Sequence, residues 1–181
     1  MAEKVGNDRE KIVAFIFRGI AEGVNYLHNV MKMVNRDIKP DNILFATTKH
    51  GTNNTHEDRA QIADFTTVVE CSSEDYEISG EAGTMAFMPP ECFNKGKPYR
   101  PKPTDIWAVG VSIYVLMFDR LPFDLSTEKA LQEDIKNKEV ELPFGSDSLR
   151  EVLRRTLDKD PATRVTAEQL LEMDWFKRGQ E

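Results

Sequence analysis

The run Val34-Asn35-Arg36-Asp37-Ile38-Lys39-Pro40-Asp41-Asn42-Ile43-Leu44-Phe45 gathers Asp, Lys and Asn, with an Arg before them, into a short stretch broken by Pro40. Asp37 and Asn42 stand five positions apart, a spacing that does not share one helix face. Held in a loop, they can converge on one ligand. A carboxylate at Asp37 can accept a proton or position a hydroxyl. Lys39 supplies a compact positive charge suited to a phosphate. The amide oxygen of Asn42 suits a hard cation such as Mg2+. Base, phosphate contact and metal ligand are the parts that phosphoryl transfer requires, because positioning and charge stabilisation dominate that reaction. An acidic surface loop uses the same residue types, so the reading depends on what else the chain carries.

The elements that must position these residues are legible on either side. Asn7 or Asp8 can cap a helix that runs to about His28. On it Ile12, Ile16, Ile20, Val24 and Leu27 recur at spacings of three and four, and Phe15 and Phe17 widen the face, which predicts deep burial. His28 reads as a packed or capping residue at the helix end. Ile43 to Phe45 and Gln61 to Ala63 read as two short strands, with the polar stretch Ala46 to Ala60 as a long loop between them. His50 and His56 in that stretch lack further ligands at zinc spacing. Asp64 to Glu91 shows little periodicity and interleaves Thr66, Thr67, Ser72, Ser73, Tyr76 and Ser79 with Glu70, Glu74, Asp75, Glu77 and Glu81. Thr104 to Phe118 is apolar almost all round, the mark of a buried helix, and Leu121-Pro122-Phe123 ends it. Ser148-Leu149-Arg150-Glu151 and Thr166-Ala167-Glu168-Gln169 fit the capping-box pattern and begin two more helices. Without repeats or linkers, the expectation is one domain over 1–181, mostly α with a small β-hairpin.

Composition narrows the function classes. The chain has 181 residues, 40% hydrophobic and 30% charged, which is enough for one sizeable core. A net charge of -7 argues against a nucleic-acid or membrane-surface binder. No apolar run approaches the length of a membrane span. Cys71 and Cys92 form neither a disulfide framework nor a zinc pattern. An intracellular, reducing compartment is expected, with the cytoplasm first and the nucleus second; oligomeric state is left open.

The motifs resemble those of eukaryotic protein kinases. Asn35 to Asn42 is similar to the catalytic loop H-R-D-x-x-x-x-N, Ala63-Asp64-Phe65-Thr66 to the metal-binding D-F-G, and Pro89-Pro90-Glu91 to A-P-E, in the family's order and spacing. Leu157 to Arg164 resembles the late motif whose Arg pairs with the A-P-E Glu, here Glu91. Gly83 to Glu91 is similar to the substrate-docking string of calcium/calmodulin-dependent protein kinase kinases. The resemblance implies a serine/threonine kinase that uses ATP and Mg2+ on a protein substrate. It assigns Asp37 to the substrate hydroxyl, Lys39 to the γ-phosphate, Asn42 and Asp64 to the metal, Leu44 to the underside of the adenine, and Thr84 to bracing Asp37 and Lys39. Asp105 would accept backbone bonds from the catalytic loop. Arg36 would meet a phosphate on the segment after Asp64, or Glu74, Asp75 or Glu77 in its place.

The family also has a small lobe with a Gly-rich loop and a strand Lys paired to a helix Glu. No G-x-G-x-x-G occurs in the chain, and 34 residues precede Asn35. The expectation is therefore a large lobe with the small lobe absent, as a fragment, a truncated gene product or a naturally lobe-less relative. Two positions depart from the pattern. Asn35 stands for His, which predicts a weaker stack on Phe65. Thr66 stands for Gly, which predicts a stiffer backbone after Asp64. The rival reading is a pseudokinase-like binding or scaffold module; a small-molecule kinase is disfavoured by the docking string.

Overall fold

Helix α2 (Lys102–Phe118) is the axis on which the other elements pack, because its sequence offers almost no polar face to solvent. Ile106, Trp107, Val109, Val111, Ile113 and Met117 are all buried along it. The computed structural model describes residues 2–50, 55–94 and 96–177, with side chains except at 2–7, 46–50 and 55–58. Asp119, at φ 54°, closes α2 in the left-handed conformation, so the helix stops ahead of Leu121-Pro122-Phe123.

Helix α1 (Ala2–Tyr26) lies against α2 and begins well before the expected caps at Asn7 or Asp8. Val13, Phe17, Ile20, Ala21 and Val24 face the core. Ile12 and Phe15 are 61% and 48% exposed, contrary to the expectation of burial. A 3.6-residue period fits two neighbouring stripes here, and packing on α2 selects the one through Val13 and Phe17. The helix passes into a π-helical turn, Leu27–Met31, which turns His28 into the interior.

Two small antiparallel sheets flank the stretch from Val34 to Phe45. β1 (Met33–Val34) pairs with β4 (Val69–Glu70). β2 (Ile43–His50) pairs with β3 (Thr55–Ile62) from Ile43 opposite Ile62 to His50 opposite Thr55. The stretch 46–60 is thus largely a two-stranded ribbon rather than a loop. A polar run carries no alternating apolar signal, so its pairing is silent in the sequence. The side chains of His50 and His56 lie outside the described residues. A Cβ on Gly19 would sit 3.1 Å from the Ala60 carbonyl oxygen, so α1 lies close against β3.

The remaining helices close the base. α3 (Glu128–Asn137) is capped by Thr127, which accepts from the Ala130 N–H at 3.0 Å. α4 (Asp147–Thr156) is capped by Ser146, not by Ser148; the Ser146 hydroxyl accepts from the Leu149 N–H at 3.2 Å. The Ser146 hydroxyl also donates to Glu10 on α1 at 2.5 Å, a tertiary bond that favours the earlier cap. α5 (Ala167–Leu171) starts with the expected capping box of Thr166 and Gln169, and α6 (Asp174–Lys177) follows. Gly110 allows α2 and α4 to cross, since a Cβ there would collide with Thr156.

Trp107 stacks on Phe123 at 5.9 Å between ring centroids, with the Lys159 ammonium 5.0 Å and the Arg164 guanidinium 5.1 Å from its own ring. Trp107→Ala should lower the unfolding free energy by about 3–5 kcal/mol, as expected for a fully buried large aromatic. In native-state hydrogen exchange the α2 amides should be slowest. Fast exchange in α2 beside slow exchange in the β2–β3 ribbon would contradict this architecture.

Candidate active site

The Val34–Phe45 stretch is held from below by one carboxylate. Asp105, fully buried in the first turn of α2, accepts from the Asn35 N–H at 2.9 Å and the Arg36 N–H at 2.7 Å. His28 Nε2 lies 2.9 Å from its Oδ2. These bonds fix a backbone that doubles back, with Arg36 at φ 68°, a conformation costly for a non-glycine residue unless its surroundings impose it.

Beyond that turn, Asp37, Lys39, Asn42 and Thr84 converge. Oδ1 of Asp37 accepts from the Thr84 N–H at 2.9 Å and the Thr84 hydroxyl at 2.8 Å. Oδ2 accepts from Lys39 Nζ at 2.8 Å and Asn42 Nδ2 at 3.1 Å. Lys39 also donates to the Thr84 hydroxyl at 2.7 Å, which therefore relays between ammonium and carboxylate. Burial pushes the Asp37 carboxyl up, but the Lys39 ammonium and Thr84 together outweigh it and hold the group below its ordinary 3.8. Gly83, at φ 92°, makes the approach of Thr84 possible; a Cβ there would collide with the Arg36 carbonyl oxygen.

Asp64 lies beside this cluster because the Ala63 N–H donates to the Asn42 carbonyl at 2.8 Å. Asp64 itself occupies the left-handed region, at φ 61°, whereas Thr66 does not. Residue 64, rather than 66, takes the left-handed conformation, and the chain then turns at Thr66 and Thr67. The Thr66 hydroxyl, at 2.6 Å, and N–H, at 3.0 Å, both donate to Asp64 Oδ1 and hold that carboxyl below its ordinary 3.8. Asn42 commits its Nδ2 to the Asp37 carbonyl and carboxylate, bonds in which its Oδ1 takes no part. One carboxylate and one amide oxygen fit Mg2+, which commonly takes few protein ligands beside substrate phosphates.

Asn35 is a polar clasp rather than a stacking residue. Its Nδ2 donates to the Asp64 carbonyl at 2.9 Å and its Oδ1 accepts from the Asp37 N–H at 3.1 Å. It is fully buried, while Phe65 is 53% exposed. Thr67 adds a second tie, donating to the Asn35 carbonyl at 2.7 Å and accepting from Arg36 Nε at 2.7 Å. Glu74 pairs with Lys102 instead of Arg36. At the far end of the segment, Arg164 Nη1 and Nη2 grip Glu91 at 2.6 and 3.0 Å, with both side chains buried.

The structure thus gathers Asp37, Lys39, Asn42 and Thr84 by direct contact and sets Asp64 alongside. Leu44 is 56% exposed on β2 and touches none of the four by a hydrogen bond. Gly83 and Thr67 are site residues whose roles sequence reasoning missed. Gly83 had a signal in its residue type, next to Thr84, but Thr67 had none.

Comparison with known proteins agrees with this geometry. The protein kinase domain family matches residues 2–176. The serine/threonine-protein kinase ppk34 of Schizosaccharomyces pombe is 40% identical over 157 residues, covering 86% of this chain and 41% of that protein. The calcium/calmodulin-dependent protein kinase kinase cmkC of Emericella nidulans is 34% identical over 166 residues, covering 90% of this chain and 30% of its own length. A calcium/calmodulin-dependent protein kinase kinase of Caenorhabditis elegans is 34% identical over 167 residues, with 90% and 29% covered. The chain spans 41% or less of the length of each of these relatives.

Two stability experiments follow from the charges. Removing one partner of the buried Glu91–Arg164 pair, by Glu91→Gln, should cost about 3–5 kcal/mol, and more than replacing both partners with apolar residues. Asp37 has its folded pKa below 3.8, so between the folded and unfolded values the unfolded chain binds more protons and stability rises with pH. The difference in urea midpoint between the native chain and Asp37→Asn should be flat above about pH 5 and change as pH falls through 3.8 toward the folded value. A difference that does not vary across that acid range would show that Asp37 is not held by Lys39 and Thr84.

Proposed function

The chain belongs to the protein kinase family, and from that premise we propose that it forms the large lobe of a serine/threonine protein kinase that transfers the ATP γ-phosphoryl group to a protein hydroxyl. The observation that carries this reading is the Asp37 carboxylate, braced on both oxygens by Lys39, Asn42 and Thr84.

A carboxylate has about four acceptor sites, and here four donors fill them. A substrate hydroxyl gains a place on Oδ2 when Lys39 turns its ammonium to the γ-phosphate. The same movement thus frees the base and neutralises the phosphate. Thr84 and Asn42 keep Asp37 oriented while it takes up the hydroxyl proton. Asn42 and Asp64 are the residues that would hold Mg2+, which when bound would screen charge on the nucleotide phosphates. Leu44, exposed on β2 above the same loop, offers an apolar surface for the adenine.

A net charge of -7 favours a protein over a nucleic-acid substrate. No helix among the described residues is long and apolar enough to cross a membrane. A cytoplasmic or nuclear protein substrate bearing Ser or Thr is consistent with both.

The 181 residues contain no G-x-G-x-x-G. The chain alone should therefore bind ATP weakly and transfer phosphate negligibly. Joined to a small lobe of the kind protein kinases carry, with its Gly-rich loop and strand Lys, it should phosphorylate a Ser/Thr peptide library, and Asp37→Asn should lower the rate by about 10²-fold or more. If the joined protein is folded yet transfers no more phosphate than its Asp37→Asn variant, the binding-module reading replaces this one.

A further inference from the structure

Thr66 breaks the family pattern, and its contacts give the departure a use. Both of its donors, the backbone N–H and the side-chain hydroxyl, point at a single atom, Asp64 Oδ1. A carboxylate oxygen has two lone pairs, so Oδ1 is saturated by its own neighbour two residues on. Neither Oδ2 of Asp64 nor Oδ1 of Asn42 takes part in these bonds, and the Ala63–Asn42 backbone bond keeps the two residues adjacent. Asp64 also stands in the left-handed backbone region, which a short self-contained hydrogen-bonded turn stabilises.

From this geometry we propose that Thr66 is a positioning residue: its hydroxyl locks the Asp64 side chain in one rotamer and presents Oδ2 as the single oxygen for a divalent cation. The proposal rests on the kinase reading of Asn42 and Asp64 and adds to it a device that a glycine at 66 could not supply. Glycine would keep the N–H but lose the hydroxyl, the shorter of the two bonds. Two effects compete. Hydrogen bonding to Oδ1 draws some charge from the carboxylate and weakens it as a ligand. Ordering the side chain in advance removes a rotamer cost that the cation would otherwise meet. Oδ2 accepts neither Thr66 bond, so a cation held there would meet a carboxylate already ordered, and we take the ordering effect as the larger. A further consequence is that the segment after Asp64 is held in a cation-ready path, since turning Asp64 away requires both bonds to break.

The test uses the 181-residue chain and two side chains of similar size, Thr66→Val, which removes the hydroxyl, and Thr66→Ser, which keeps it. Thr66 and Asp64 are both exposed, so neither variant disturbs the core. Three-bond couplings across the Asp64 Cα–Cβ bond, measured without metal, should report one rotamer in the native chain and in Thr66→Ser, and averaging in Thr66→Val. Mn2+ alone, followed by its paramagnetic broadening of the Asn42 and Asp64 resonances, should bind about 2- to 10-fold more weakly to Thr66→Val. Thr66→Ser should stay close to the native affinity. Averaged couplings in the native chain, or Val and Ser variants that behave alike, would overturn the proposal. Asp64→Asn separates the two layers. If it leaves Mn2+ binding unchanged, the metal-site reading falls and the proposal with it. If it abolishes binding while Thr66→Val does not weaken it, only the positioning role falls.

Discussion

A single buried carboxylate organises the functional end of this molecule. Asp105 sits where α2 begins, out of reach of water, and its charge is compensated by two consecutive backbone N–H groups and the His28 ring. Burying an uncompensated carboxylate would be prohibitive. The stretch around Asp37 therefore presents those N–H groups, and it turns through the left-handed conformation at Arg36 as it does so. The core helix and the Asp37 loop are thus coupled through polar bonds to one buried carboxylate. Loops that carry chemistry on a stable scaffold need such an anchor, because their own sequences bury too little to fix them.

The same logic repeats outward. Asn35, the first anchored residue, spends its side chain on Asp64 and Asp37, and its carbonyl on Thr67. Position 35 therefore ties the loop to the segment that follows β3 without an aromatic stack. Gly83 lets the end of that segment lie on the Arg36 carbonyl, and Thr84 then reaches Asp37. Glu91 and Arg164 fasten what comes next to the base of the fold. Apart from the Asn35–Asp37 bond, each tie joins residues far apart in sequence, so the site depends on tertiary assembly.

The two departures from the kinase pattern have different physical outcomes. Asn35 replaces one kind of contact with another and is fully buried and hydrogen-bonded. Thr66 adds a hydrogen bond that glycine lacks and leaves the left-handed bend to Asp64. Neither removes a member of the Asp37, Lys39, Asn42 and Thr84 cluster, and this is why the enzyme reading is preferred to the scaffold reading.

Much of this was open to inspection in the sequence, where residue type and spacing act locally. The all-apolar run of α2, the box at Thr166, and the ordered motifs around Asp37, Asp64 and Glu91 each follow from a short stretch of chain, and so do the mostly helical fold and the kinase resemblance. Tertiary structure decided the rest, for one recurrent reason: the deciding partner lies far along the chain. Ser146 caps α4 in place of Ser148 because Glu10 is there to receive its hydroxyl. Ile12 and Phe15 stay outside because α2 meets the neighbouring stripe of α1. The β2–β3 ribbon forms through backbone bonds that leave no apolar period to read. Glu74, one of three carboxylates that sequence offered to Arg36, pairs instead with Lys102, the first residue of α2. Local pattern determines which residues are available, and long-range packing determines which of them meet.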